Sequence, residues 1–330
     1  ADIVSEHALG QAVDNGFLPP TPIVTYLKEK ITVRPVPYAA VVLISVAYAT
    51  MLEPVKKRGG QLSLPRVSRD LLAIPHEIGH HIFWQARMPG EKLTVHEQLQ
   101  KRLKQAKIWE WDWRRAWLEE IFADVYGLLV AGPVMALSFQ DLLTDDPPPE
   151  FVQDTGHHPI PALRPFIQTQ ILRGITDAAG VQNYRRAPEQ LDKRWQQWVT
   201  ENAKNNWPQV APLQMEYNVQ GLASPLSGQR ILEALDEVIA IILQTLRAQR
   251  PAQPKAKYTH GEWQPWTEDL PKGDKNLLGL YDHLTLQNFP LESRWLSYPE
   301  VSGRADEGAN YPQLILGGWS VEGPEHRGGG

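Results

Sequence analysis

The chain contains no cysteine among its 330 residues. This absence excludes disulfide bonds, thiol catalysis, cysteine-ligated zinc and iron–sulfur clusters. It leaves the compartment open, because chains without cysteine occur in both reducing and oxidising places. An excess of positive charge is also missing, since 33 Lys and Arg stand against 38 Asp and Glu and give a formal net charge of −5. The chain therefore lacks the basic face of a nucleic-acid-binding protein, and we expect no nucleic-acid partner.

Long hydrophobic runs are scarce as well. The main one extends from Tyr38 to Leu52, and it is shorter than the ~20 residues that a membrane-spanning helix needs. Its β-branched residues favour a buried strand, so we expect no membrane span. Residues 1–16 are interspersed with charged side chains and do not resemble a signal peptide. The sequence therefore predicts a soluble protein, with the cytoplasm as the favoured compartment.

The composition is that of a folded globular protein, since 42% of the residues are hydrophobic and 22% are charged. These shares exclude a mainly disordered or collagen-like chain. The pattern of apolar residues and breakers predicts an early β-prone stretch followed by helices. Strands are predicted at 31–36, within 38–52 and at 61–67. Helices are predicted from 68–70 to near 89, and at 91–108, 112–131, 160–178, 189–206 and 228–248. Pro75 lies inside the first helix, which must either kink or begin there.

The most informative motif is the sequence HEIGH at residues 76–80. On a helix, His76 and His80 project from one face one turn apart, as two ligands of a tetrahedral zinc ion must. Glu77 lies about 100° round the helix, where its carboxylate can take a proton from a zinc-activated water. Chance produces this pattern about 0.02 times in a chain of this composition. The simpler alternative is a surface helix that carries two histidines and a glutamate.

Two imidazoles do not complete a catalytic zinc site, so a third protein ligand is required. The extended motif HExxHxxGxxH does not supply it, because Phe83 and Ala86 stand at the glycine and third-histidine positions. Residues 117–131 are apolar nearly all round a helix, which predicts burial. This helix nevertheless carries acidic residues and no Lys or Arg. Buried carboxylates are costly unless a cation compensates them, and a metal ion is one such cation.

Glu120 and Asp124 lie four residues apart on one face of this helix, while Glu119 is off that line. The economical interpretation is that Glu120 binds the metal. Asp124 then accepts the free N–H of a ligating histidine and fixes its tautomer. The alternative is that the carboxylates form salt bridges with Arg114, Arg115 or an arginine elsewhere in the chain.

The two motifs together, HEIGH followed by EEIFAD, resemble those of the gluzincin group of zinc metallopeptidases, which includes the thermolysin-like and HtpX-like families. The resemblance is confined to the region of these motifs. It implies one zinc ion per chain, bound by His76, His80 and Glu120. It also implies that Glu77 is the general base and that Asp124 is the acceptor behind a ligating histidine.

A further segment, HHPIPALR at residues 157–164, resembles the His-Pro…Arg stretch that follows the ligand glutamate in HtpX-like proteases. The resemblance implies that His158 is catalytic and stabilises the oxyanion of a tetrahedral intermediate. It also implies that His157 and Arg164 contact the substrate. The alternative is that both histidines are ordinary loop residues and that Arg164 is a charge at a helix start.

The resemblance implies an α+β, zincin-like fold, in which a small mixed sheet packs on the active-site helix beside a mainly helical second lobe. We expect residues 1–250 to form this domain, with the cleft between 31–110 and 111–250. Residues 251–330 are expected to form a C-terminal extension of loops and strands. The expected activity is zinc-dependent hydrolysis of a peptide or protein substrate by an endopeptidase. The alternative is a non-catalytic binding or regulatory protein on the same scaffold, with a structural or vestigial metal.

Overall fold

The structure is a computed structural model in which a small sheet lies beside a set of helices. It describes residues 5, 8–10, 12, 13, 16–28, 32–35, 41–47, 73–88, 90–108, 113–143, 148–179, 186–202 and 211–247. Three sequence predictions lie outside these residues: the strand at 61–67, the helix start at 68–70 and the extension at 251–330.

A mixed sheet near the start of the chain consists of β1 (Ile23–Lys28), β2 (Thr32–Pro35) and β3 (Val42–Ala47). β3 is the central strand, and it pairs parallel with β1 and antiparallel with β2. Val42 and Ile44 are buried, since alternate residues of a strand face the same side and this side meets the core. The predicted strands at 31–36 and within 38–52 are therefore confirmed, and β1 is an additional strand.

Helices make up most of the remaining described chain. They are α1 (Ile74–Gln85), α2 (Val95–Gln105), α3 (Arg114–Ala131), α4 (Pro133–Leu143), α5 (Pro148–Phe151), α6 (Arg164–Ala179), α7 (Arg186–Asn202) and α8 (Gly228–Arg247). A second sheet pairs β4 (Glu216–Tyr217) with β5 (Leu226–Ser227) in antiparallel orientation. The described residues are thus mostly helical with two small sheets, which agrees with the predicted mixture of helix and sheet. Among these helices none has the length and apolar content needed to cross a membrane.

Two prolines mark helix starts. Pro75 is the second residue of α1, which begins at Ile74, so its missing N–H costs no hydrogen bond and the helix does not kink there. Pro133 opens α4 directly after α3, because Gly132 ends the preceding helix with a φ of 64°. The sequence predicted the end of α3 at this Gly-Pro pair but did not predict α4.

α1 and α3 cross at short distance because small residues line their contact. A Cβ atom on Gly79 would lie 2.6 Å from Ala123 Cα, so glycine is required at this position. A Cβ atom on Gly127 would lie 3.1 Å from the backbone N of His76 and would collide with Met135 Sδ. The close crossing brings the HEIGH motif of α1 against the acidic stretch of α3.

A hydrophobic core runs through the described residues from Ala8 to Leu246. α3 is its central element, since α3 contacts α1, α4, α6 and α8 and is buried from Glu120 to Ala131. α1 packs between α3 and the first sheet, which it meets at β2. The apolar stripe predicted on α8 is also confirmed. Its members are all buried: Ile231, Leu235, Val238, Ile242 and Leu246.

Candidate metal centre

His76, His80 and Glu120 converge at the crossing of α1 and α3. The Nε2 atoms of His76 and His80 lie 3.2 Å apart. Glu120 closes a triangle with them, since its Oε1 lies 3.4 Å from His80 Nε2 and its Oε2 lies 3.5 Å from His76 Nε2. His76 and Glu120 are 4% and 8% exposed, whereas His80 faces partly toward solvent. These three residues could hold a metal ion.

The size of this triangle tests whether a metal fits. Four ligand atoms placed roughly 2.0–2.1 Å from a tetrahedral ion lie about 3.3 Å from one another. The two Nε2 atoms, 3.2 Å apart, are close to that value. Each Nε2 atom has a different oxygen of Glu120 at 3.4 or 3.5 Å, and one ligand atom from each of the three residues lies within 4.8 Å of the others. Imidazole and carboxylate groups are also common ligands of first-row divalent metals. The residues present therefore fit a metal ion, and their geometry alone does not select which metal.

Asp124 lies behind His76, at the ring nitrogen that faces away from the triangle. Its Oδ1 is 2.9 Å from His76 Nδ1 but lies off the N–H direction, so the contact is electrostatic rather than an aligned hydrogen bond. Burial by itself lowers the pKa of His76, but contacts with Asp124 and Glu120 outweigh it and raise that pKa to about 9. A metal ion must displace the proton that this raised pKa keeps on Nε2. A carboxylate at Nδ1 favours the tautomer whose Nε2 is then free to bind the metal.

Arg164, at the start of α6, supplies a cation to the two buried carboxylates. Its Nη2 lies 2.9 Å from Glu120 Oε2 and 3.0 Å from Asp124 Oδ1, and its Nε lies 3.0 Å from Asp124 Oδ2. Its guanidinium also lies over the Phe139 ring, 5.1 Å from the ring centre. The salt bridge to a distant arginine is therefore present. The same Nη2 lies 3.4 Å from His76 Nε2, so it borders the metal triangle.

The charges of this cluster hold one another in their ionised forms. Burial by itself raises the pKa values of Glu120 and Asp124, but His76 and Arg164 hold both values well below their usual range. Burial lowers the pKa of Arg164, and the two carboxylates outweigh this and raise it above its usual value. Glu120 is therefore a carboxylate, the form that binds metal. The contact between Arg164 and Oε2 leaves Glu120 Oε1 facing His80.

Sequence analysis assigned no role to Glu119, which is a further partner of the site. Glu119 accepts a hydrogen bond from His80 Nδ1 at 2.9 Å, while its side chain is 37% exposed. This bond favours the tautomer whose Nε2 faces the triangle. The sequence feature that could have indicated this contact is the pair of adjacent glutamates. Neighbouring residues of a helix project about 100° apart, so two adjacent glutamates reach different partners.

Glu77 follows His76 on α1 and is half-buried. Burial raises the pKa of its carboxyl group above the usual value, and the charges of His76, His80 and Glu120 also act on it. Glu77 thus interacts electrostatically with the three residues of the triangle, although it is not one of them. A carboxyl group with a raised pKa is a better proton acceptor than an ordinary one.

The loop before α6 brings His158 to the open side of the site. His158 Nε2 lies 3.3 Å from Glu120 Oε1, while 59% of its side chain is exposed. His157 is exposed in the same loop, whereas Arg164 is only 7% exposed. The structure therefore brings His158 and Arg164 to the triangle, from its open and its buried side respectively. Substrate contacts of His157 and Arg164 remain predictions.

The convergence of three ligand atoms is the observation on which a functional interpretation depends. No protein-family model, no curated protein and no solved structure matches this chain. The likeness to gluzincins consequently depends on the two sequence motifs and on the meeting of His76, His80 and Glu120 in space.

Proposed function

We propose that the protein is a zinc metallopeptidase of the gluzincin type, with a zincin-like fold and one zinc ion per chain. The observation that carries the proposal is the triangle of His76, His80 and Glu120, whose ligand atoms all lie within 4.8 Å of one another. The sequence supports it, since the two histidines belong to HEIGH and the glutamate to EEIFAD. The expected substrate is a peptide or protein, which is cleaved within its chain.

Zinc is the metal that the donor set favours. Two histidines and one glutamate form a ligand set of catalytic zinc, in which a fourth position stays open to water or substrate. Structural zinc sites instead have four protein ligands and are usually rich in cysteine, and this chain has no cysteine. When bound, zinc supplies Lewis-acid activation of water and of the scissile carbonyl group.

Glu77 is the proposed general base. Its carboxylate takes a proton from the attacking water and passes it to the leaving amine. Burial favours this role, because it raises the pKa of the carboxyl group. His158, 3.3 Å from Glu120 Oε1 on the exposed side, donates a hydrogen bond to the substrate oxygen that gains negative charge in the transition state. His157, exposed beside it, is available to the substrate.

The remaining polar groups orient the ligands. Glu119 holds His80 from the rim of the site, and Asp124 lies behind His76. Arg164 neutralises and positions the two buried carboxylates. Replacing residues that hold metal ligands typically changes metal affinity about 10–100-fold.

One observation favours a second candidate function. Arg164 already compensates Glu120 and Asp124. The cluster can therefore be stable without an ion, as in a binding or regulatory protein whose metal site is vestigial. The intact Glu77 favours the enzyme, because a structural or vestigial metal has no use for a general base.

Hydrolysis of casein by the wild type and by Glu77→Gln tests the proposal, with zinc content measured in parallel. We expect the wild type to cleave casein and Glu77→Gln to lose about 10²-fold or more in turnover. The zinc content of Glu77→Gln should stay at the wild-type level, because Glu77 is not one of the three ligands.

Glu91→Gln is the matched control, since it changes an exposed glutamate outside the site and should keep wild-type turnover. A Glu77→Gln protein as active as the wild type would remove the general-base role. A zinc-loaded wild type that cleaves neither casein nor a mixed peptide library would favour the binding protein.

A further inference from the structure

His158 reaches the metal triangle from a loop. The loop joins α5 to α6 and is closed at its base by a hydrogen bond of 2.9 Å from Ala162 N to Phe151 O. Ile160 is fully buried, so the second half of the loop is anchored in the core. His158 itself is 59% exposed, yet it lies 3.3 Å from Glu120 Oε1. Its position therefore depends on how the first half of the loop is held.

Asp154 holds this first half. Its Oδ1 accepts hydrogen bonds from Trp117 Nε1 at 3.2 Å and from Gly156 N at 2.8 Å. Its Oδ2 accepts a hydrogen bond from Gln220 N at 2.7 Å. One partly buried carboxylate thus joins three parts of the chain: helix α3, its own loop and the connection between β4 and β5.

The partners of Asp154 differ in exposure, since Trp117 and Gly156 are buried whereas Gln220 is exposed. Trp117 is fully buried on α3, three residues before Glu120, so it belongs to the same helix as the metal ligand. Gly156 has a φ of +80°, and a Cβ atom there would collide with Gln220 Oε1, so the loop lies directly on the β4–β5 connection. Hydrogen bonds to an ionised carboxylate are also about twice as strong as those between neutral groups.

We propose that Asp154 is a positioning residue, which holds His158 against the metal-binding carboxylate Glu120 and couples the β4–β5 connection to the site. The inference rests on the proposed function, because it takes His158 as the group that stabilises the transition state. Asp154 acts through the loop and not on the substrate. Its effect on rate can nevertheless be large, since misplacing a catalytic group by about 1 Å costs ~10²-fold.

The kinetic test compares the wild type with Asp154→Ala, His158→Ala and the double variant on a quenched fluorescent peptide. We expect Asp154→Ala to lower kcat about tenfold or more with little change in KM and with full zinc content, because no metal ligand is lost. The double variant should be no slower than His158→Ala alone, since Asp154 acts through His158. Losses that multiply, or loss of zinc from Asp154→Ala, would overturn the proposal.

Two further variants separate positioning from a general loss of loop stability. Asp154→Asn keeps an acceptor oxygen for Trp117 and Gly156 and should recover most of the turnover that Asp154→Ala loses. Gln153→Ala changes the exposed neighbour in the same loop and should behave as the wild type. If Asp154→Asn were as slow as Asp154→Ala, the hydrogen bond from Trp117 on α3 to Asp154 would not be what holds the loop in place, and the proposal would be overturned.

A spectroscopic test on the metal-free protein needs no enzymatic activity. The ¹⁵N signal of His158 Nε2 should shift when Glu120→Gln removes the adjacent charge. The same replacement should leave the signal unchanged in an Asp154→Ala background, where the contact is lost. Gly156→Ala disrupts the same turn from its φ of +80° and serves as a second background with the same expected result.

Equal shifts of the His158 signal in all backgrounds would overturn the positioning role. A wild type without peptidase activity would refute the proposed function but not the positioning role of Asp154. The spectroscopic comparison needs no activity, so it would still show whether Asp154 holds His158. The two failures are therefore distinguishable.

Discussion

The Arg164→Met substitution tests the electrostatics of the site. Methionine keeps an apolar side chain beside Phe139 but removes the arginine cation beside Glu120 and Asp124, so that His76 remains to compensate them. Arg164 makes three N–H···O contacts of 2.9–3.0 Å and is 7% exposed, so it belongs to a buried ion pair. Breaking such a pair by removing one partner costs about 3–5 kcal/mol.

In the metal-free protein this loss should lower the melting temperature by roughly 6–20 °C, since 1 kcal/mol corresponds to about 2–4 °C in a domain of this size. A bound zinc ion brings positive charge to the same cluster, so the loss should be smaller when zinc is present. Differential scanning calorimetry of both proteins, in chelator and in zinc, measures the four melting temperatures that the comparison needs.

Arg173→Met is the matched control. Arg173 pairs with Asp192, but its side chain is 47% exposed, and exposed ion pairs contribute only about 0–1 kcal/mol. Its melting temperature should therefore change little, and equally with and without zinc. The reasoning is refuted if Arg164→Met melts within about 2 °C of the wild type, which is less than 1 kcal/mol. It is also refuted if zinc does not reduce the loss.

Two further substitutions test how the ligands are placed. Asp124→Asn should weaken zinc affinity about 10–100-fold, because it removes the charge behind His76. Titration against a competing chelator measures this, and an unchanged affinity would make Asp124 a structural residue. Gly79→Ala should destabilise the protein by about 1–3 kcal/mol, because its Cβ would lie 2.6 Å from Ala123 Cα. Denaturant unfolding measures the loss, and wild-type stability would contradict the close crossing of α1 and α3.

The centre of the site could be predicted from the sequence because it depends on local spacing. Residues four apart on a helix share a face, which places His76 beside His80 and Glu120 in line with Asp124. That the two helices meet is not a local property. Acidic residues on an otherwise apolar helix nevertheless predicted that a cation lies beside them, and the structure brings two histidines and an arginine there.

The contacts of Arg164 and Glu119 could not be predicted from local spacing. Arg164 lies 40 residues beyond Asp124 along the chain. A salt bridge to a distant arginine was an open alternative, but no pattern showed which arginine folds back. Glu119 lies 39 residues beyond His80, and whether it reaches that ring depends on how α3 is rotated against α1. Both contacts are set by tertiary packing.

The elements that sequence analysis missed have different causes. β1 lies outside the stretch in which strands were predicted, although four of its residues, IVTY, are β-branched or aromatic. Its hydrogen bonds come from a parallel, non-local pairing with β3. β4 and β5 have two residues each, which is too short for any periodicity. α4 was missed because a proline can follow the end of one helix and also open the next.

The metal content of the wild type beside His80→Ala, measured by plasma mass spectrometry after zinc is offered and the excess is removed, tests the central claim most directly. We expect about one zinc per wild-type chain and none in His80→Ala. The substitution removes one of the three protein ligands, and the two that remain do not complete a catalytic zinc site. His96→Ala removes a histidine outside the triangle and should keep its zinc. A wild type that binds no zinc would contradict the metal centre, and the proposed peptidase with it.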